Sequence, residues 1–209
     1  MVDSSHPDWG TLNNLSEKET SVLRAFALAS DVEFSDRNLL RFLRARKFNP
    51  DAAIKMLRED HVWRDTFREH GAFERRDFPN FVLMAEEGLI KVNGRDKAGR
   101  PCGVLRPAHF HPSLVSDDIE LVYFAVFVLD GLARRAEEQG QDGFTAIVDM
   151  EDWGMSNFSL PLVKLSIELL QDHYPERLGT VMVVNPPWVF KAAGVTARSA
   201  PRRFATSVS

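Results

Sequence analysis

From about residue 89 onward, short β-type runs alternate with longer helical stretches, and this order constrains the chain more than any single motif. Leu89 to Val92 and Gly103 to Leu105 flank Gly94-Arg-Asp-Lys-Ala-Gly-Arg100, whose glycines and charges predict an exposed hairpin turn. Ser116 is placed to cap a helix through about Glu138, and Thr145 to Met150 then reads as a buried strand. Ser159, with Pro161 in the first turn, opens another helix, and Thr180 to Val184 follows as a strand. Strands separated by helical crossovers pair in parallel, and the connections are right-handed. The runs Ala146-Ile-Val148 and Val181-Met-Val-Val184 lack polar alternation, as strands covered on both faces do.

The first third has a different period. Ser16 and Glu19 form the sequence pattern of a capping box, predicting a helix to about Ser30 with Val22, Leu23 and Phe26 on one face. Leu39, Leu40 and Leu43 recur at helical spacing between about Asp36 and Lys47. Asn49 caps a third helix with Pro50 in its first turn, an apolar pattern through Ile54, Leu57, Trp63 and Phe67, and Gly71 as terminator. After Pro79 a short helix ends near Gly88. The expected fold class is therefore α/β: an N-terminal helical module followed by a mixed, partly parallel β-sheet lobe flanked by helices. The expected boundaries are 1-32 for a leader and first helix, 33-80 for the helical module, 81-193 for the lobe, and 194-209 for a disordered tail. That tail has Lys191, Arg198, Arg202 and Arg203 in and just before it and no acidic residue, so it would be drawn weakly to an anionic surface.

Composition narrows the function classes. With 44% hydrophobic and 27% charged residues and a net charge of -4 over 209 residues, the chain reads as globular and gives no electrostatic reason to bind nucleic acid. Cys102 is the single cysteine, so an internal disulfide is excluded and a reducing compartment is expected. Met1 to Gly10 has neither a basic start nor an apolar run, which is unlike a signal peptide. The longest apolar stretch, Leu121 to Leu129, is far short of the roughly 20 residues of a membrane span. A cytoplasmic protein with only peripheral membrane contact is the expectation.

No phosphate loop, dinucleotide fingerprint, nucleophile elbow or zinc-protease helix is present in the sequence, so no catalytic residues are assigned and the chain is expected not to be an enzyme. His109 and His111 have the spacing to point together towards a metal, but no third ligand accompanies them, and loop histidines packed around Phe110 and Pro112 are the simpler reading; no metal is expected. Asp149, Glu151 and Asp152 follow a buried strand, where acids act chemically or cap turns, and capping is preferred. The basic run Arg41, Arg44, Arg46 and Lys47 reads either as a phosphate cradle or as a solvated helix face paired with Asp36 and Asp51. Glu176-Arg177, after His173-Tyr174-Pro175, reads as a loop entering a strand.

In order along the chain, three segments resemble the CRAL-TRIO family, whose fungal members exchange phosphatidylinositol and phosphatidylcholine between membranes. They are Leu39-Leu-Arg-Phe-Leu-Arg-Ala-Arg-Lys-Phe48 with Ala52-Ala53 and Trp63-Arg64; Asp96-Lys-Ala-Gly-Arg-Pro101; and Tyr174-Pro-Glu-Arg-Leu-Gly179 with Val184-Asn-Pro-Pro-Trp-Val-Phe190. Ile147-Val-Asp149 matches the strand before the family's central loop. The resemblance implies a carrier that holds acyl chains over a β floor, with a phospholipid, most readily phosphatidylinositol, as ligand and no other cofactor. It implies head-group contacts from Arg46, Lys47 and Glu176, and transient docking at a membrane. Phe144 and Ala146 stand where choline-lipid binders carry hydroxyls, which disfavours that lipid. After Lys191-Ala-Ala193 the sequence leaves the family pattern, so the resemblance implies a form truncated at its C-terminus with an incomplete pocket. The alternative expectation is a regulatory or interaction module that recruits a protein partner at exposed apolar surface.

Overall fold

A computed structural model describes residues 15–30, 35–68, 79–115 and 118–187. Its first three helices are α1 (Glu17–Ala29), α2 (Asp36–Ala45) and α3 (Pro50–Arg68). The Ser16 hydroxyl accepts from the Glu19 amide while the Glu19 carboxylate reaches back to the Ser16 amide at 2.8 Å, so the capping box starts α1 as expected. Ser35 caps α2 through the Asn38 amide, and the Asn49 side chain accepts from the Ala52 amide at the start of α3. Together the three helices enclose one core containing Leu23, Phe26, Leu39, Leu43, Met56 and Leu57.

Helix α4 (Pro79–Glu87) leads through left-handed Gly88 into β1 (Ile90–Arg95), which turns back antiparallel onto β2 (Pro101–Leu105). Helix α5 (Asp118–Glu138) crosses to β3 (Phe144–Asp149), and α6 (Leu160–Asp172) crosses to β4 (Leu178–Val184). The sheet order is β1-β2-β3-β4, with β2, β3 and β4 mutually parallel. This is the mixed sheet that the alternating pattern predicts. Gly103 lets α5 lie close over β2: a Cβ there would stand 3.1 Å from Leu132 Cδ1. The Ser159 hydroxyl accepts from the Leu162 amide at the start of α6, as expected from the sequence. The Ser116 cap, the Gly71 terminator, the leader and the 194-209 tail lie outside the described residues.

The Asp96-Lys-Ala-Gly-Arg-Pro101 segment has a mechanical reason. Asp96 turns the hairpin by accepting from the amides of Ala98 and Arg100, and its carboxylate also accepts from Arg100 Nε at 2.7 Å and Thr145 Oγ1 at 2.7 Å. Arg100 then reaches across the sheet to donate to Thr180 Oγ1 on β4 at 2.9 Å. It passes so close over Gly179 that a Cβ there would stand 1.9 Å from Nη1. The glycine of Leu178-Gly179 and the arginine of the hairpin are thus one packing unit.

Candidate functional site

The entrance to β4 gathers most of the buried charge. The segment His173-Tyr174-Pro175-Glu176-Arg177 leaves α6 and enters the strand, and the helical cluster holds it at several points. His173 Nδ1 stands 2.9 Å from the carboxylate of Asp60 on α3, and its ring stacks on Trp63 with centroids 3.6 Å apart. Arg64, also on α3, is held by Asp60 at 3.0 Å, donates to the His173 carbonyl, and lies over the Tyr174 ring. Tyr174 donates to Asp130 of α5 at 2.7 Å. Burial, reinforced by the Asp130 charge, raises the Tyr174 pKa, so the phenol remains a donor. Burial works to lower the pKa of Arg64, but Asp60, Tyr174 and Asp130 outweigh it and the net shift is upward.

Helix α2 supplies the second set of anchors. Arg37, Arg41 and Arg44 follow one another at i, i+4 and i+7, and Asn38 adjoins them, so one stripe of the helix faces the lobe. Arg41 donates to the Pro175 carbonyl at 3.2 Å and to Asn38 Oδ1 at 2.6 Å, and the same Asn38 oxygen accepts from Arg177 at 3.3 Å. Arg177 also donates to the Asp142 carbonyl and pairs with Glu137. Arg37 Nε lies 3.0 Å from Asp142 Oδ1, a charge contact without the alignment of a hydrogen bond. Burial raises the Asp142 pKa against the opposing pull of Arg37, Arg177, Arg41 and Arg44. Arg41 is only 8% exposed and its Nε is buried without a hydrogen-bond partner. Burial, with the neighbouring Arg177 charge, pushes its pKa down to about 9.

These positions divide the basic run Arg41, Arg44, Arg46 and Lys47 between two environments. The solvated-face reading is wrong for Arg41, which is buried because α2 is packed on both sides. Beyond α2, Arg46 is half-buried with Nη1 3.4 Å from the Ala45 carbonyl. Lys47 is exposed in a left-handed turn, φ 53°. Glu176 is half-buried and also left-handed, φ 60°. Burial raises its carboxyl pKa, and the cations that oppose this are Arg44 and then Arg41. Of the sequence-predicted trio, Glu176 lies in the segment held by α2 through Arg41 and the Pro175 carbonyl, while Arg46 and Lys47 follow the end of that helix. Sequence reading missed the i, i+4, i+7 spacing of Arg37, Arg41 and Arg44, the signal that they share a face. It also left Asn38, Asp60 and His173 without roles.

The other sequence candidates fall into structural roles. Asp149 accepts from the Glu151 amide and from Asn185 Nδ2, and faces Arg106 at 3.4 Å, which fits turn capping at the ends of β3 and β4. His111 lies 3.4 Å from Glu87, and among the described residues no group of metal-ligating side chains converges.

The lobe also exposes large apolar side chains. On α6, Leu160, Val163 and Ile167 form an exposed stripe, with Phe158 and Met155 just before it. Val181 and Met182, successive residues and hence on opposite faces of β4, are both exposed, and β4 has no partner on its outer side among the described residues.

Comparison with known proteins accounts for both the fold and these motifs. The family model "CRAL/TRIO domain" matches residues 85–200, and "CRAL/TRIO, N-terminal domain" matches residues 9–59. The chain belongs to the CRAL-TRIO family. Among similar proteins, phosphatidylinositol transfer protein CSR1 of Eremothecium gossypii is 28% identical over 166 residues, covering 76% of this chain and 38% of that protein. Phosphatidylinositol transfer protein PDR17 of Saccharomyces cerevisiae is 28% identical, covering 71% and 44%, and Clavesin-1 of Xenopus laevis is 31% identical, covering 75% and 48%. The chain thus spans less than half the length of these relatives. The crystal structure of Sfh5 shares the fold with a TM-score of 0.59 at 14% identity, covering 86% of this chain and 74% of that one.

Proposed function

We propose that this chain binds a phospholipid, with phosphatidylinositol preferred, and carries it between membranes without covalent chemistry. The observation that carries the proposal is the pairing, in one lobe, of exposed apolar residues on α6 and β4 with a half-buried acid at the mouth of β4. Acyl chains laid on the apolar residues gain about 25 cal/mol for each Å² removed from water, while a few polar groups select the head group. In this reading Arg46 and Lys47 meet the phosphate, arginine offering its planar fork, and Glu176 accepts from inositol hydroxyls. The printed names of CSR1 and PDR17 support the inositol-lipid preference. No helix among the described residues is long and apolar enough to cross a membrane, which fits docking from the cytoplasmic side as a peripheral protein.

Transfer of labelled phosphatidylinositol between vesicles tests this, with the Arg46→Ala, Lys47→Ala double variant alongside. Transfer by the parent that the variant loses is the expected result. A folded parent that transfers nothing defeats the carrier reading. The open outer side of β4 favours a second reading, an interaction module whose protein partner covers the apolar residues. A partner bound stoichiometrically to a transfer-inactive chain would establish it.

A further inference from the structure

The two edges of the sheet are finished differently. On β1, Lys91 and Arg95 are exposed, and the pairing with β2 loses register between Val92 and Arg95, where Gly94 is left-handed. Charges and irregularities of this kind stop an edge from accepting a further strand. β4 has none of them: residues 178–187 carry no charge, the pairing with β3 is regular over 180–184, and Val181 and Met182 are exposed. The Met150 amide donates to the Val184 carbonyl, so Val184 turns its backbone groups towards β3, and by alternation Met182 does the same. Val181 and Val183 therefore turn their N–H and C=O groups outward, where no strand among the described residues meets them.

We propose that β4 is a self-association edge: a second copy of this chain pairs antiparallel with it about a two-fold axis at Met182, joining the two sheets into one. In that register Val181 of each copy faces Val183 of the other as a hydrogen-bonded pair, so the outward N–H and C=O groups of both valines find partners. Met182 meets its own counterpart in the closer, non-hydrogen-bonded pair, and Thr180 meets Val184. Charge and symmetry select the occupant. Around a two-fold axis a strand faces itself, so a charged residue at the axis would meet its own charge, whereas β4 brings only neutral residues to every pair. Successive side chains lie on opposite faces, so the exposed Val181 and Met182 gain apolar neighbours on both faces at once. The blunted β1 edge cannot repeat the contact, and association closes at two copies. The inference requires neither lipid nor transfer activity, because the contact is made by backbone groups that an acyl chain cannot satisfy.

Sedimentation equilibrium of the 209-residue chain over a concentration series tests this, with Met182→Lys, Met182→Glu and an equal mixture of the two alongside. The parent is expected to approach twice its 23.7 kDa mass and to go no higher. Each charged variant alone should weaken self-association at least about tenfold, because like charges then stand opposite each other, and the mixture should restore a dimer by setting Lys against Glu. Amide hydrogen exchange supplies the readout specific to the edge. The Val181 and Val183 amides are expected to be protected in the dimer and to exchange faster on dilution, while the Met182 and Val184 amides, turned towards β3, stay protected throughout. A parent that stays monomeric overturns the proposal, as does a dimer that both charged variants leave intact, which places the contact elsewhere. Mass that grows beyond the dimer overturns the two-fold pairing. Protection of the Val181 and Val183 amides in a monomer assigns the edge to the chain's own residues and overturns it too. Should the charged variants fail to fold, the parent's exchange decides: protection at Val181 and Val183 that does not change on dilution defeats the idea.

Discussion

The two sides of the lobe are built on opposite physical terms. At the entrance to β4, charged and polar groups are buried and share partners: Asp60 serves both Arg64 and His173, and Asn38 serves both Arg41 and Arg177, while Arg41 Nε and Asp142 Oδ1 are left without a hydrogen bond. Along α6 and β4, large apolar residues are exposed, Leu160, Val163, Ile167 and Val181 among them, with Lys164 and Glu168 exposed on the same helix. The first side is directional, because each hydrogen bond fixes an angle, and it holds the helical cluster in one pose on the lobe. The second is non-directional and tolerant of shape, which suits flexible acyl chains in the proposed function. In the proposed function selectivity and capacity fall to different regions, and substitutions should separate them.

The largest expected effect lies in the charged side. Asp60→Ala removes the closer of Arg64's two carboxylate partners, leaving Asp130 at 3.4 Å, and releases His173, and should cost about 3 kcal/mol in urea unfolding. A loss under 1 kcal/mol would show that the joint is held by packing alone. Next comes Gly179→Ala, which displaces Arg100 from Thr180 and should cost about 2 kcal/mol. Combining it with Arg100→Ala should recover part of that loss, since the clash then has no second party.

A smaller effect of opposite sign is expected at Glu176. Its folded pKa is raised, so the native state holds the proton more tightly than the unfolded chain does, and native stability falls as pH rises through the folded pKa. Glu176→Gln removes that penalty and should stabilise by about 0.5 kcal/mol at neutral pH, after allowing for solvent screening of a half-buried group. The gain should fade on acidification towards the ordinary carboxylate range, and the same variant should bind phosphatidylinositol more weakly. A gain that persists unchanged in acid would place its origin elsewhere.

On the apolar side the change in stability at each position is expected to be no larger. Leu160→Ser, Val163→Ser and Ile167→Ser together should alter the unfolding free energy by no more than about 0.5 kcal/mol per position, because these side chains bury little in the protein. Vesicle transfer of lipid should nonetheless fall at least tenfold. Loss of stability without loss of transfer would mean that the stripe packs inside the protein and leaves the ligand to other surfaces.

Much of the architecture is legible in the sequence because it depends on local periodicity and on caps. The Ser16-Glu19 box, the Ser159 cap with Pro161, and the Asp96 to Pro101 turn each act within four or five residues, and each is found in its expected place. Uninterrupted apolar runs likewise marked β3 and β4, and the intervening helices required their parallel pairing. The same local signals could not say which of four basic residues faces inward. Arg41 and Lys47 belong to one charged run, but one is buried against Pro175 and the other is exposed beyond the helix end.

The sequence by itself determined the element order, the mixed sheet and, through its ordered motifs, the family. Only the tertiary structure decided that Arg41 holds the Pro175 carbonyl, that Gly179 makes way for Arg100, and that Asp60 meets His173. The physical reason is separation along the chain: Arg41 and Pro175 are 134 residues apart, and Asp60 and His173 are 113. Propensity and periodicity act over a few residues, whereas the desolvation that gives these charges their roles exists only once the lobe has closed over them.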